Sequence, residues 1–201
     1  YTLVDAHSYT RLRLRPLLAF RNVHSLSKAN VYVDTNYEEV KNGIKCRMYV
    51  GYTPLIMQFS KENEFVAVPD WYYNFHYMKE EQRGYEYLED LYTPGFFELD
   101  IKKGESIIFS AGTVETEPDS LKRLFAKEEK KRIPRINFEN NLINSAQQFI
   151  VRRNKKVEII AGYPWFGKWG RDTFIALPGL TFCTGDYKTC KTVIDSMIDD
   201  L

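Results

Sequence analysis

Thr10 to Arg15 alternates without a break, with Leu12 and Leu14 on one side of an extended chain and Arg11, Arg13 and Arg15 on the other. That period of two predicts a strand with one buried and one solvated face, ended by Pro16. Ile44 to Val50 and Leu55 to Ser60 read as two further strands, separated by the turn residues Gly51 to Pro54. Trp71 to Lys79 alternates Trp71, Tyr73, Phe75 and Tyr77 against Tyr72, Asn74, His76 and Met78. Such an aromatic stripe suits either a sandwich core or a platform for a glycan. Phe96 to Ile101 and Ser106 to Ser110 predict a hairpin around Lys102–Glu105, with Gly104 supplying the tight turn. Short strands at this spacing predict an antiparallel β-sandwich over residues 1–117.

From Pro118 the period changes to that of helices. Asp119 to Arg132 places Leu121, Leu124 and Phe125 on a narrow stripe, and residues 118–136 read as a linker helix with its surroundings. Between Asp119 and Arg135 stand seven basic residues and three acidic ones, which suits a solvated face or an anion-binding patch. Phe138 to Arg152 continues at helical spacing through Leu142, Ala146, Phe149 and Ile150. Ala161 to Gly170 is irregular, and helices are expected over Thr173 to Cys183 and Tyr187 to Leu201. Gly185 suits a helix C′ position and Asp186 the cap of the next helix. Residues 137–201 thus read as the start of an all-helical domain.

Composition narrows the partners. Twenty-eight Lys and Arg against 27 Asp and Glu leave a formal charge of +1, so no global field gathers nucleic acid. No run of 18 apolar residues is present, so no membrane-spanning helix is expected. Cys46, Cys183 and Cys190 lack the spacing of a zinc site and are odd in number, which fits free thiols in a reducing, cytoplasmic setting. His7, His24 and His76 show no paired metal-ligand spacing, and no nucleotide-binding loop is present, so neither metal nor cofactor is expected. The chain begins at Tyr1 and stops inside an amphipathic run, as a fragment cut at both ends would; such a fragment is expected to be inactive and aggregation-prone.

Chemistry concentrates in one segment, AGYPWFGKWGRDTFIALPGL, Ala161 to Leu180. Gly162, Gly167 and Gly170 let the backbone approach a ligand, and Trp165, Phe166 and Trp169 offer rings suited to the C–H faces of a pyranose. Capping the end of a helical core would explain the same rings. Asp172 begins the next helix. It reads either as an N-cap bonded to its own backbone amides, or as a carboxylate accepting two sugar hydroxyls, with Arg171 on the same ring or orienting Asp172. Upstream, Arg15, Arg21, Asn22, His24 and Asn30 either border a groove or satisfy one another in a turn region.

Trp165 to Leu180 resembles the signature that opens the amylo-α-1,6-glucosidase domain of glycogen debranching enzymes. Arg15 to Asn30 and Asp90 to Thr113 are similar to the N-terminal domain of the bacterial and archaeal members. The resemblance implies a β-sandwich, a linker helix and the first helices of an (α/α)6 barrel. It further implies hydrolysis of α-1,6-linked glucosyl stubs on glycogen or limit dextrin, with inversion. By likeness to glucoamylases, whose related Trp-x-Arg-Asp element binds the non-reducing glucose, Trp169, Arg171 and Asp172 would line the −1 subsite; Trp165 and Phe166 join the substrate-binding candidates on the reading of their rings alone. The general acid and base would lie beyond Leu201. Whether the parent also carries 4-α-glucanotransferase activity stays open. Two other readings stand beside this one: a non-catalytic glycan-binding module, and a related (α/α)6-barrel glycosidase acting on another sugar.

Overall fold

Strand β1, Thr10–Leu14, turns Leu12 and Leu14 toward a core and leaves Arg11 and Arg13 exposed, as its alternation predicts. The computed structural model describes residues 1–154, 156–163 and 166–200. It divides into two units, Tyr1–Glu128 and Glu129–Leu201.

In the first unit β1 is followed by β2 (Tyr37–Val40), β3 (Gly43–Cys46), β4 (Leu55–Phe59), β5 (Glu64–His76), helix α1 (Met78–Gln82), β6 (Leu88–Ile101) and β7 (Phe109–Gly112). All pairings are antiparallel, giving a three-stranded sheet in the order β1-β6-β5 and a four-stranded sheet in the order β2-β3-β4-β7. Both sheets feed one core. Ile44, Met57 and Phe59 come from the second sheet, and Phe97, Leu99 and Ile101 from the first. The Phe97 ring lies 5.0 Å from that of Phe59 and 4.9 Å from that of Phe65. Each such ring, once buried, contributes about 1.5–3 kcal/mol.

The outer face of β1 is polar but not idle. Arg13 pairs with Glu98 across the ladder, Nε to Oε1 at 2.7 Å, and its guanidinium sits 4.2 Å above the Phe96 ring. Phe96 is thereby shielded although it points away from the core.

The predicted hairpin does not form. The turn exists, with Gly104 at φ +80° and the Glu105 amide donating to the Lys102 carbonyl at 2.9 Å. However, β6 is already paired on both edges, with β1 and β5, so no edge remains for a returning strand. Ser106 bridges Thr2 instead, the Ile107 amide donates to the Tyr1 carbonyl, and β7 joins β4 in the other sheet.

The aromatic alternation also breaks. Asn74 adopts φ +58°, and the β5–β6 register shifts between Tyr72 and Phe75. The cause is Asp90, whose carboxylate accepts the Asn74 amide at 2.9 Å and so stabilises the bulge. Trp71 still packs on Tyr92, rings 5.4 Å apart, but Tyr73 is 63% exposed. One further irregularity depends on glycine: Gly95 has φ +149°, and a Cβ there would lie 2.1 Å from the Val66 carbonyl oxygen.

A short 3-10 turn, Pro118–Ser120, leads into α2, Leu121–Lys131. The second unit holds α3 (Phe138–Phe149), β8 (Ile150–Arg153), β9 (Lys156–Gly162), β10 (Phe166–Lys168), α4 (Gly170–Leu180) and α5 (Tyr187–Ile198). Asn137 caps α3 by accepting the Asn140 amide at 2.8 Å. The helix stops at Phe149 rather than Arg152, and the stretch read as irregular contributes to an antiparallel sheet in the order β10-β9-β8. Lys156–Gly162 carries its own signal of period two: Val157 and Ile159 are buried beside Leu177, Cys190 and Val193, whereas Glu158 is not. The Ser196 hydroxyl accepts the Val157 amide at 3.0 Å and ties α5 to this sheet. Before α5, Gly185 takes φ +75° and Asp186 accepts the Thr189 amide at 3.0 Å, as expected. Among the described residues the chain is therefore a β unit of two antiparallel sheets followed by helices, with a small sheet packed against α4 and α5.

Candidate functional site

Strand β10 delivers the segment rich in chemistry. Its pairing with β9, Phe166 to Gly162 and Lys168 to Ile160, fixes the direction in which the chain enters α4. Lys168 is held by Glu158 at 3.1 Å and by Asp200, and these carboxylates raise its pKa, Asp200 most. Asp200 in turn is lowered to about 2 by its bonds to Lys156 and Lys168. The Lys168 ammonium is thus engaged within the fold and anchors the entry to α4.

Trp169 occupies the N-cap position with extended backbone, and its carbonyl accepts the Thr173 amide at 2.8 Å. Asp172 is therefore the third residue of the helix, not its cap. Its carboxylate faces Arg171, Nη2 to Oδ2 at 3.6 Å, and no backbone amide is bonded to it among the described residues. A carboxylate in the first turn also complements the helix dipole. The side chains of Arg171 and Asp172 are 78% and 39% exposed, and Trp169 is 54% exposed. Phe166 is exposed as well, and Trp165 lies outside the described residues.

Helical spacing explains why these groups face outward. Thr173 and Leu177 are buried one turn apart and seat α4 on β9. Arg171, Phe174, Ile175 and Pro178 consequently share the opposite side, and all four are exposed. Phe174 and Ile175 were not singled out in the sequence, although their spacing from Arg171 carried the signal. The first two turns of α4 thus carry an indole at the helix entrance, a carboxylate with a guanidinium beside it, and exposed apolar side chains. Such a set can stack on a sugar ring and accept its hydroxyls.

The upstream polar residues are bonded partly within their own turns and partly to residues elsewhere in the β unit. The Arg21 guanidinium bonds to Glu89, Nη2 to Oε2 at 3.2 Å, and Asn22 accepts the His24 amide at 2.9 Å. Asn30 accepts the Tyr32 amide and donates to the Tyr49 hydroxyl at 2.8 Å. Arg15 donates to the Tyr72 hydroxyl and lies over the Phe96 ring.

Sequence reading missed the centre of this region. Glu89, 1% exposed, accepts the Ser27 amide at 2.9 Å and the Tyr77 hydroxyl at 2.7 Å as well as Arg21. Burial alone would raise its pKa, but those donors hold it below the ordinary value. Burial, followed by the bond to Glu89, pushes the Tyr77 phenol up. The available signal was Glu89-Asp90 inside the otherwise apolar run Leu88 to Tyr92. Among the described residues no group of three His, Cys, Asp or Glu could hold a metal ion, and no helix is long and apolar enough to cross a membrane.

Two family models match, in the order the sequence reading expects. Residues 1–108 match the N-terminal region of glycogen debranching enzymes, and residues 144–201 match amylo-alpha-1,6-glucosidase. No curated protein and no solved structure matches. The first match alone spans more than half of the 201 residues, and the second covers β9, β10, α4 and α5, including the Trp169–Asp172 segment. The chain belongs to the glycogen debranching enzyme family.

Proposed function

We propose that the protein carrying this chain hydrolyses α-1,6-linked glucosyl stubs of glycogen or limit dextrin with inversion, and that Trp169, Arg171 and Asp172 bind the non-reducing glucose at the −1 subsite. The observation that carries the reading is the state of Asp172: its carboxylate is not used as a helix cap and, among the described residues, faces Arg171 alone, three residues after the exposed Trp169. In this role Asp172 accepts two sugar hydroxyls, Arg171 orients the carboxylate, and Trp169 stacks on the C–H face of the ring. Phe166 and Trp165 flank the same ring.

Asp172 is a binding group and not the general acid. Inverting hydrolysis requires two carboxyl groups about 6.5–9.5 Å apart, with water between them. Trp165 to Leu180 contains one carboxylate, Asp172, so no acid–base pair is assigned to this segment. The proposed organisation is a β-sandwich domain through residue 117, a linker over 118–136, and a glucosidase domain from 137 whose α4 and α5 open an (α/α)6 barrel. An uncharged α-glucan as substrate agrees with the near-neutral chain, and the three free thiols agree with a cytoplasmic setting.

Comparison of substrates tests the specificity. Free glucose should be released from α-1,6-glucosyl limit dextrin and not from linear maltooligosaccharides of the same length. Equal release from both would assign the site to another glycosidase, and glucan binding without glucose release would assign it to a binding module.

A further inference from the structure

Residues 18–30 of the β unit contain neither strand nor helix, yet their path is fixed at discrete points. Leu18 forms an isolated bridge with Tyr92, with amide-to-carbonyl distances of 2.7 and 3.0 Å. Beyond it, the segment is held by two neighbouring carboxylates of β6. Glu89 takes the Arg21 guanidinium and the Ser27 amide, and Asp90 takes the Ala29 amide at 3.0 Å. The Asp90 amide donates back to the Ser27 carbonyl at 2.9 Å, and Lys28 donates to the Leu88 carbonyl at 2.6 Å. Between these anchors Asn22 to Ser25 is exposed and bonded locally, by a turn from Asn22 to Ser25, by the His24 amide on Asn22 and by Arg21 on the Asn22 and Val23 carbonyls. Both carboxylates are buried, and each also holds a second segment: Glu89 bonds Tyr77 and Asp90 bonds Asn74.

The start of this segment is also a wall. Leu17, Phe20 and Arg21 face Tyr52, Leu55 and Thr113 across a groove of about 360 Å³, with the Phe20 and Tyr52 rings edge to face at 6.0 Å. Leu18 belongs to the core; beyond it the strap adds no fully buried side chain, only the partly buried Phe20 ring, so the carboxylate anchors carry most of its closure.

We propose that residues 19–30 form a strap that opens as a unit, hinged at the Leu18–Tyr92 bridge and latched by Glu89 and Asp90, and that its opening removes the Phe20–Arg21 part of the groove's wall while the two-sheet core, Leu18 included, stays folded. Glu89→Gln keeps the side-chain volume but leaves the Arg21 guanidinium without its counter-charge, which favours its return to water.

Hydrogen exchange on the whole chain tests this in two ways. In the unaltered protein the Ser27 and Ala29 amides should exchange at rates nearly independent of low urea concentrations, whereas those in residues 55–59 and 96–101 should accelerate with urea. In Glu89→Gln, exchange across 19–30 should rise about tenfold or more, the worth of one charge-assisted bond, with the core peptides unchanged. A strap with the urea dependence of the core would overturn the proposal. So would a variant in which strap exchange is unchanged, or strap and core accelerate together.

Discussion

Asp172→Asn lowers turnover of an α-1,6-glucosyl limit dextrin by roughly a hundredfold to ten-thousandfold and leaves stability nearly unchanged. The magnitude follows from two hydrogen bonds to a charged acceptor, each worth about 1.5–3 kcal/mol, at about 1.4 kcal/mol per tenfold in rate. Stability is spared because the side chain is partly exposed and, among the described residues, meets only Arg171, at 3.6 Å. An exposed pair of that kind contributes about 0–1 kcal/mol, and the helix-dipole contribution lost with the charge is of similar size. If Asp172 were instead a cap, Asn would serve equally well and activity would persist. Trp169 already occupies the cap position, which removes that alternative on geometric grounds. The check pairs the rate on limit dextrin with a urea unfolding curve; full activity, or a large loss of stability, would contradict the assignment.

Phe97→Ala removes about 3–5 kcal/mol from the stability of the β unit, a large share of the 5–15 kcal/mol typical of a domain. Phe97 is 0% exposed and touches rings from its own sheet and from the other, Phe65 and Phe59. The cavity left behind lies where the two sheets meet and on the central strand β6, where collapse would have to move both partners of that strand. Phe125→Ala is the control: its ring is more than half exposed on α2, and the change expected is within about 0.5 kcal/mol. Urea unfolding of the two variants distinguishes them. A loss below about 1 kcal/mol for Phe97→Ala would mean that the sheets do not share this core.

Much of the fold was legible because local pattern and tertiary demand agree. Leu12 and Leu14 alternate with arginines and do face the core, and Gly185-Asp186 both ends one helical turn and caps the next helix. Where reading failed, a distant partner decided the outcome. Glycine 104 makes its turn, but whether the following strand returns depends on the occupancy of the edges of β6, which local sequence does not encode. The aromatic stripe lost its alternation to an amide taken by Asp90, sixteen residues away. The sheet of the second unit was missed for another reason. Its outer strands β8 and β10 are short, and Phe149-Ile150 continues the helical apolar spacing straight into β8, which hid the alternation of β9.

The candidate site was legible in residue identity and less so in placement. Arg171 and Asp172 lie beside one another at a helix start as expected, but the cap is Trp169, and the exposed Phe174 and Ile175 became visible only once the buried side of α4 was known. Glu89 and Asp90 illustrate the converse. Two acids in an apolar strand signal buried charge, yet their donors come from segments 12 to 68 residues away and no spacing rule points to them.

The most direct measurement follows the anomeric proton of glucose by NMR while the protein that carries this chain acts on α-1,6-glucosyl limit dextrin. β-Glucose appearing first, then equilibrating, is the result expected of an inverting amylo-α-1,6-glucosidase. α-Glucose appearing first, or no free glucose at all, would contradict it.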